Sequence, residues 1–391
     1  MDEEGIRERI SKELDALRDR SQFRTLETPP GINLSSNDYL GLSTDPRLKQ
    51  ALVEAVARTE LVGSTGSRLL SGNAPEWEEL ESEFASFAGT EAALYFGSGY
   101  AANIGLLSSI LRPADIVFSD ALNHASLIDG MRQSRAAKVI YPHGDLKFLE
   151  SALREHRGSA GARVIVTESV FSMEGDVAPL AALIELAREY DAELVIDEAH
   201  AIGVCGPEGR GVAAELGIER EAFAIIHTCG KALACAGAFV CGSNSLKHFL
   251  VNHARTFIFS TAMPPYLARQ IQAALALARE AESERSHLRK IAAELRAGIA
   301  AAGLNCGASK AHIVPVMLGS NEVALHVASE LQRAGFAVKA IRPPTVPPGT
   351  SRVRLSLTSR ITVEDIHRLV AAMDTAWKSS PRAFSAAAVH A

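Results

Sequence analysis

A lysine and an aspartate each follow a short apolar run of the kind that forms a buried strand. Lys231 comes shortly after the run 223–227, and Asp197 comes directly after the run 193–196. Parallel strands of an α/β sheet present functional side chains at their carboxyl ends, so we expect both residues at one sheet edge. An amine that can form a Schiff base and a carboxylate that can hold a ring nitrogen protonated are what pyridoxal 5'-phosphate (PLP) requires. The pair therefore predicts a PLP site.

A glycine-rich loop, Gly97-Ser98-Gly99-Tyr100, follows another apolar run and opens a helical pattern. Backbone N–H groups at the start of a helix bind phosphate well. The same letters fit the dinucleotide fingerprint, with Asp120 about twenty residues further on, and an ordinary tight turn also fits. A dinucleotide fingerprint should follow the first strand of its fold, whereas here the better acid–base pair, the lysine and the aspartate, lies much later in the chain. We therefore favour the phosphate role.

Other motifs are incomplete. Residues 197–200 spell Asp-Glu-Ala-His, as in some helicases, but the phosphate loop that a helicase needs is missing: Gly230-Lys231 is followed by Ala232, and position 225 is Ile. The motif H-E-x-x-H is absent, and no Cys/His pair has zinc-finger spacing, so no metal site is predicted. The five cysteines are odd in number and form no C-x-x-C motif, which indicates reduced thiols.

Composition excludes several classes of protein. The chain has 391 residues, of which 47% are hydrophobic and 22% charged, and its formal net charge is −6. A nucleic-acid-binding protein would usually carry a basic excess, so no nucleic-acid partner is expected. There is no apolar run of about 20 residues, so no membrane span is expected. The first residues lack the basic and apolar regions of a signal peptide, and we expect a cytoplasmic protein.

Short apolar runs alternate with helical patterns from about residue 45 to 280. The runs typical of buried strands are Ala92–Phe96, Asp115–Ser119, Lys138–Tyr141, Arg163–Thr167, Glu193–Ile196, Phe223–His227 and Ala238–Cys241. The alternation predicts an α/β fold with a mainly parallel seven-stranded sheet flanked by helices.

The regions on either side predict further elements. Residues 3–20 have the apolar spacing of an amphipathic helix that lies on another surface, and a long helical region begins at Pro264. Further elements predicted near the C-terminus are a strand Ile313–Leu318, a helix Asn321–Ala334, strands Val338–Ile341 and Val353–Leu357, and a helix Val363–Trp377 that Thr362 and Asp365 cap. We therefore predict an N-terminal helix and arm (1–48), a large PLP-binding domain (49–280) and a small C-terminal α+β domain (281–391).

Several segments occur together in an order known from one enzyme family. These segments are Ser35–Leu42, Gly63–Arg68, Ser98–Tyr100, Asn123–Ser126, Glu168–Asp176, Asp197–His200, Thr228–Lys231, Ser260–Pro265 and Ile341–Pro347. As a set they closely resemble the α-oxoamine synthases over about residues 10 to 375, and Arg342–Pro347 resembles the biotin-pathway branch of that family. The resemblance implies the PLP-dependent fold type I, which is aspartate aminotransferase-like, with a smaller α+β C-terminal domain.

The resemblance also implies a role for individual residues. Lys231 would be the Schiff-base lysine, and Asp197 would pair with the protonated ring nitrogen. His124 would stack on the ring and donate a proton, and His200 would bond the phenolic oxygen. The other implied cofactor contacts are Ser98, Gly99, Tyr100, Ser172, Thr228 and Thr261, the last of them supplied by a second subunit. Without the resemblance, loop serines and threonines often only cap turns, and the histidines could be ordinary polar or core residues.

Substrate contacts are implied near both ends of the chain. Arg354 matches the residue that grips an α-carboxylate, a task that suits a guanidinium because it can bind both oxygens. Arg352 lies two residues away on the same strand face, so spacing alone does not choose between the two arginines. The resemblance adds Asn37, Arg24 and Thr345 as substrate contacts, although Arg24 could equally be a solvated charge.

The implied reaction joins an amino acid to an acyl-CoA with loss of CO2, in a homodimer with shared active sites. The biotin-pathway branch implies L-alanine and pimeloyl-CoA as substrates. Alternatives that keep PLP are glycine or serine with a different acyl-CoA, or an aminotransferase. A PLP-free α/β binding module is the non-enzyme alternative. The sequence leaves open the acyl chain length, the amino acid, and whether the thioester is carried on CoA or on a carrier protein.

Overall fold

A computed structural model describes residues 5–28 and 30–381. The end of the predicted C-terminal domain, 382–391, lies outside the described residues, as do residues 1–4. Two compact units are present. The larger unit comprises Asp38–Ser172 and Asp176–Ser286, and the smaller comprises the chain up to Asn37, Met173–Gly175, and the chain from His287 onward. The domain boundaries predicted at 48 and 280 stay a prediction.

The strands of the described residues, in chain order, are β1 (Ile32–Asn33), β2 (Ala92–Phe96), β3 (Ile116–Asp120), β4 (Ala137–Tyr141), β5 (Arg163–Glu168), β6 (Glu193–Asp197), β7 (Ala224–Thr228), β8 (Ala238–Gly242), β9 (Ile313–Gly319), β10 (Phe336–Ala337), β11 (Ala340–Ile341) and β12 (Ser351–Ser356). The α-helices are α1 (Ile6–Asp19), α2 (Pro46–Arg58), α3 (Pro75–Ala88), α4 (Gly99–Ile110), α5 (Ala125–Gln133), α6 (Leu146–Glu155), α7 (Leu180–Glu189), α8 (Val212–Leu216), α9 (Asn244–His253), α10 (Arg255–Ile258), α11 (Pro265–Glu280), α12 (Glu282–Ala301), α13 (Asn321–Arg333) and α14 (Val363–Lys378).

The larger unit is built on a seven-stranded sheet in the order β2-β8-β7-β6-β5-β3-β4. Neighbouring strands from β7 to β4 are parallel, and β8 is antiparallel to both of its neighbours. The predicted mainly parallel, seven-stranded sheet is therefore confirmed. Most of its strands are buried along their whole length, because helices cover the sheet and apolar residues are needed on both faces.

Helix α4 lies against the sheet and begins directly after the Gly97-Ser98 turn. Its Ala102, Leu106 and Leu107 are fully buried in one apolar cluster with side chains of β3 and β5. This packing holds the amino end of α4 near the carboxyl ends of the parallel strands, where functional side chains of such sheets lie.

The smaller unit contains an antiparallel sheet, β11-β12-β9, and a parallel pair, β1 with β10. Of the strand predicted at Val338–Ile341, only Ala340–Ile341 is a strand, β11, and the short strand β10 lies just before the predicted range. The chain leaves the pair with β1 after Ala337 and joins the other sheet at Ala340, so Val338 and Lys339 connect the two. The predicted cap of the last helix is confirmed, since Thr362 and Asp365 form a reciprocal capping box at α14.

The first helix, α1, was predicted to lie on another surface. In the described chain it has no buried residue, and its apolar Ile6 and Ile10 are 64% and 52% exposed. The described chain therefore leaves Ile6 and Ile10 of α1 exposed and covers only its end at Ala16 and Leu17 in part. Among the described residues, no helix combines the length and apolar character that crossing a membrane requires.

Candidate active site

Asp197 ends β6 as a buried carboxylate with a separate donor on each oxygen. The Asn103 side-chain amide donates to Asp197 Oδ2 at 2.7 Å, and the backbone N–H of Ala199 donates to Oδ1 at 2.9 Å. Two fixed donors orient the carboxylate plane, and each oxygen keeps a lone pair that can accept a further bond. Asp197 is therefore preorganised to receive the N–H of a charged ring.

His124 caps the amino end of α5. Its Nδ1 accepts from the backbone N–H of Ser126 at 3.3 Å and lies 2.7 Å from Ser126 Oγ. Desolvation by the surrounding protein lowers the pKa of the His124 imidazole; the Asp197 carboxylate partly offsets this effect, and the Lys231 ammonium adds to it. The charges of Asp197 and Lys231 thus both act on His124, and the structure brings the three predicted residues together.

Lys231 lies in a tight loop between β7 and β8. Backbone bonds close this loop, from the N–H of Cys229 to the carbonyl of Gly237 and from the N–H of Cys235 to the carbonyl of Cys229, both at 2.8 Å. Ala234 adopts a left-handed conformation with a φ of 50°, which turns the chain sharply behind the lysine. The loop holds a half-buried Lys231 at the strand end, as the sequence predicts.

The residues predicted to bind phosphate surround the amino end of α4. Ser98 Oγ accepts from the backbone N–H of Ala101 at 3.1 Å and caps the helix. A Cβ atom at Gly99 would lie 3.6 Å from Thr228 Oγ1, so the Gly99 backbone and the Thr228 hydroxyl are neighbours. The N–H of Gly230 also donates to Thr228 Oγ1, at 3.3 Å. Hydroxyl and backbone donors with no carboxylate among them suit a phosphate.

Thr261 and Ser98 of the same chain line one cavity of about 210 Å³. Thr261 forms an isolated β-bridge with Ser67, which anchors its loop. The predicted contribution of Thr261 across a subunit interface stays a prediction. Tyr100, the remaining residue of the loop, is exposed and donates its hydroxyl hydrogen bond to Asp129.

His200 and Ser172 lie in loops that follow strands of the same sheet. Buried His200 has its Nδ1 2.6 Å from the hydroxyl of Tyr39, which is also fully buried. This bond fixes the orientation of the imidazole and directs the other ring nitrogen away from Tyr39. Ser172 is half-buried in the loop after β5.

The dinucleotide alternative finds no support at Asp120. Its carboxylate accepts from the backbone N–H groups of Leu122 at 2.8 Å and Gly144 at 3.1 Å, and it contacts His143 Nδ1 at 2.9 Å. Asp120 is only 3% exposed, so its side chain serves the local structure and is not presented to a ribose.

The two candidate arginines of the smaller unit, both on β12, have different partners. Arg352 donates to Glu174 Oε1 at 2.8 Å, and this pair is a buried ion pair. Arg354 donates from both terminal nitrogens to Asn37 Oδ1, each at 3.2 Å. Glu174 neutralises the charge of Arg352. The role of Arg354 as the arginine that grips an α-carboxylate stays a prediction.

Arg24 and Thr345 also meet in the smaller unit. Arg24 donates to Thr345 Oγ1 at 2.9 Å, and both line a cavity of about 440 Å³. Arg342 lines the same cavity; burial lowers its pKa, and the neighbouring charge of Arg24 acts in the same direction. The structure thus places these two predicted substrate contacts beside each other.

Three residues near the site were not predicted to have a role. Asn103, Ser126 and Tyr39 each contact a predicted site residue and are almost fully buried. A signal was present for Asn103, because it is a polar residue one helical turn after Gly99, in the largely apolar first half of α4. Ser126 lies two residues from His124, but a loop serine commonly only caps a turn. Tyr39 carries no local signal, since its partner His200 lies 161 positions away.

Comparison with known proteins identifies the family. The model of "Aminotransferase class I and II" matches residues 29–373. The chain belongs to that family. It is 45% identical to an 8-amino-7-oxononanoate synthase of Geobacter sulfurreducens, with 93% of this chain and 96% of that protein covered. It is 43% identical to a protein of the same name from Herminiimonas arsenicoxydans, with 95% and 100% covered.

Solved structures of this family agree. A serine palmitoyltransferase from S. paucimobilis is 29% identical with a TM-score of 0.87, over 95% of this chain and 97% of that one. An 8-amino-7-oxononanoate synthase from Francisella tularensis is 27% identical with a TM-score of 0.76, over 88% and 97%. The predicted membership of the α-oxoamine synthases, a family of PLP-dependent acyltransferases, is confirmed, and so is the predicted fold type I architecture.

Proposed function

We propose that this protein catalyses the condensation of L-alanine with pimeloyl-CoA to give 8-amino-7-oxononanoate, CoA and CO2, in biotin biosynthesis. The observation that carries the proposal is the grouping of Lys231, Asp197 and His124 at the carboxyl ends of the parallel strands, in a sheet whose helix α4 begins at the glycine-rich loop. The choice of substrates rests on the relatives at 42–45% identity that carry the name 8-amino-7-oxononanoate synthase.

PLP, when bound, supplies an electron sink that stabilises negative charge at the Cα atom of the amino acid. The residues described above fit that group. Ser98, Gly99, Tyr100 and Thr228 would bind its phosphate, together with Thr261. Asp197 would keep the ring nitrogen protonated, because a buried carboxylate held by two donors favours a cation beside it. His200 and Ser172 would contact the ring oxygen.

Lys231 has two tasks. With PLP bound, the Lys231 amine would hold the cofactor through its aldehyde group, and the same amine would remove the Cα proton of the amino acid and later return a proton to the product. His124 would lie beside the cofactor ring and offer a hydrogen bond to the reacting groups. Attack of the Cα carbon on the thioester carbonyl expels CoA, and loss of CO2 from the resulting β-keto acid leaves the amino ketone.

The substrate contacts belong to the smaller unit. Arg354, assisted by Asn37, binds the α-carboxylate of the amino acid. Arg24 and Thr345 are the further substrate contacts, and they line one cavity. The protein works as a homodimer with shared active sites, as other members of this family do.

Lys231→Ala tests the chemistry. The purified wild-type protein should show the visible absorbance of lysine-bound PLP, and the variant should lose both this absorbance and CoA release. Lys138→Ala, which removes an exposed lysine, is the matched control and should behave as the wild type. A colourless protein that still releases CoA would exclude the proposal and favour a different chemistry. Asp197→Asn should also abolish turnover, whereas a PLP-free binding module would show no absorbance and no effect.

A substrate panel tests the substrates. CoA release is measured with alanine, glycine and serine, each paired with pimeloyl-, acetyl-, succinyl- and long-chain acyl-CoA, and with a carrier-protein thioester of pimelate. We expect alanine with the pimeloyl thioester to be turned over best. The serine palmitoyltransferase structures make serine with a long acyl-CoA the sharpest competitor, although a shared fold alone does not determine the substrate. Amino transfer to a keto acid without CoA release would indicate an aminotransferase.

A further inference from the structure

A chain of hydrogen bonds joins the Asp197 carboxylate to the His124 imidazole through two residues that the reaction does not otherwise use. Asn103 Nδ2 lies 2.7 Å from Asp197 Oδ2 and 2.9 Å from Ser126 Oγ, and Ser126 Oγ lies 2.7 Å from His124 Nδ1. Asn103, Ser126 and Asp197 are buried, so water does not compete strongly for these bonds.

The direction of each bond follows from the donors available. An amide nitrogen carries two hydrogens, and Asn103 uses one for Asp197 and the other for Ser126. The opposite orientation of the amide would aim its carbonyl oxygen at the Asp197 carboxylate, where two acceptors would repel. Because Ser126 Oγ accepts from Asn103, its own hydrogen is available for His124 Nδ1.

The backbone supplies a second reason for the same protonation state. The N–H of Ser126 also points at His124 Nδ1, at 3.3 Å. A proton on Nδ1 would face this N–H and would displace the hydroxyl hydrogen. Nδ1 is therefore an acceptor, and the proton of the neutral ring lies on Nε2.

The unpaired end of the amide supports a role beyond packing. Asn103 Oδ1 is buried and has no hydrogen-bond partner among the described residues. A buried, unpaired oxygen is destabilising, so an apolar residue would serve better if Asn103 only filled space in helix α4.

We infer that Asn103 and Ser126 are positioning residues that hold His124 as the Nε2–H tautomer and couple it to the carboxylate of Asp197. The inference rests on the proposed function only for its consequence in catalysis. A neutral His124 can stack on a protonated ring without opposing its charge, and its Nε2–H remains a donor. Asp197 then keeps its negative charge for the ring nitrogen.

The tautomer is measured directly by long-range ¹⁵N–¹H NMR of protein labelled at histidine, in the apoprotein and after PLP is added. The histidine signal that disappears in His124→Gln is assigned to His124. We expect the wild type to be predominantly Nε2–H in both forms. Ser126→Ala removes the hydroxyl donor and should reduce the Nε2–H to Nδ1–H ratio roughly two- to twelvefold, the range that one neutral hydrogen bond accounts for. Ser126→Thr keeps a hydroxyl and should restore the ratio.

Ser109→Ala is the matched control, because it removes another buried serine hydroxyl of the same region, which donates within α4 to the carbonyl of Leu106. The Nε2–H to Nδ1–H ratio of His124 in this variant should equal that of the wild type. Asn103→Leu should reduce the ratio in the same direction as Ser126→Ala and should also weaken PLP binding in absorbance titrations. If Asn103→Leu does not fold, Ser126→Ala decides the question.

The outcomes separate this inference from the proposed function. An unchanged ratio in Ser126→Ala would overturn the inference, even if the wild type binds PLP and releases CoA. A wild-type protein that binds no PLP would overturn the proposed function, while the apoprotein spectrum would still decide the tautomer. A wild type with the proton on Nδ1 would overturn the inference outright.

Discussion

The sharpest stability prediction concerns His143, which lies between two carboxylates in the larger unit. Its Nδ1 is 2.9 Å from Asp120 Oδ1, and its Nε2 is 2.8 Å from Asp176 Oδ2. Both ring nitrogens face acceptors, so both must carry protons for both bonds to form. Burial opposes the charge of this imidazolium, but the two hydrogen bonds outweigh burial and raise the pKa of His143 to about 10.

The magnitude follows from the shift in pKa. A rise from the ordinary 6.5 to about 10 corresponds to at most about 5 kcal/mol of stabilisation, at about 1.4 kcal/mol for each pH unit. The ring is 26% exposed, and water screens part of this interaction, so we expect His143→Gln to lose about 2–3 kcal/mol. Because the folded pKa of His143 is raised, the stabilisation is complete below about pH 6.5 and is lost as the pH rises towards 10.

Urea unfolding of the wild type and of His143→Gln at pH 6 and pH 9.5 measures the effect. The difference in unfolding free energy between the two proteins should be large at pH 6 and should nearly vanish at pH 9.5. His367→Gln is the control: this histidine is 73% exposed and 3.9 Å from Glu294, so its loss should change stability by less than about 0.5 kcal/mol at either pH. The same His143→Gln deficit at both pH values would refute the reasoning.

Three further perturbations have defined outcomes. Gly211→Ala should lower the free energy of unfolding, measured by thermal unfolding, by more than about 3 kcal/mol, because the new Cβ would overlap the buried Glu198 Oε2 at a φ of 108°. Gly217→Ala, where φ is also positive but no atom lies within 4 Å, should lose only about 1 kcal/mol in the same experiment. Thr362→Ala should lose about 1 kcal/mol through the missing helix cap, and an unchanged melting temperature would contradict this. Arg354→Lys should raise the KM for the amino acid roughly tenfold or more in steady-state kinetics, since an ammonium cannot bind both carboxylate oxygens in one plane; an unchanged KM would place the carboxylate elsewhere.

The sheet could be predicted because its strands are simple in sequence. Runs such as Ala92–Phe96 and Arg163–Thr167 are apolar along their whole length, and the seven predicted strands agree with the seven observed within about two residues at each end. The strand β11 was predicted two residues too long and β10 was not predicted, because two-residue strands carry too little periodicity to locate. The apolar spacing of residues 3–20 predicted the helix α1 correctly, but it did not identify the surface on which the helix lies.

Sequence alone was sufficient to predict candidate chemistry-bearing residues and where along each element they lie. Lys231, Asp197 and the glycine loop stand at strand ends, and an apolar strand followed by polar residues is a local pattern that needs no knowledge of the fold. The set of short segments around them was sufficient to predict the family that the comparisons confirm.

Only the tertiary structure decided which partner each side chain has. Arg352 and Arg354 share a strand face, yet one is neutralised by Glu174 and the other meets Asn37, which is 317 positions away in the chain. The side-chain amide of Asn103 donates to Asp197, which is 94 positions away in the chain. Periodicity in a sequence reports the face on which a residue lies, whereas its pKa, its tautomer and its charge compensation depend on neighbours that the fold brings from distant segments.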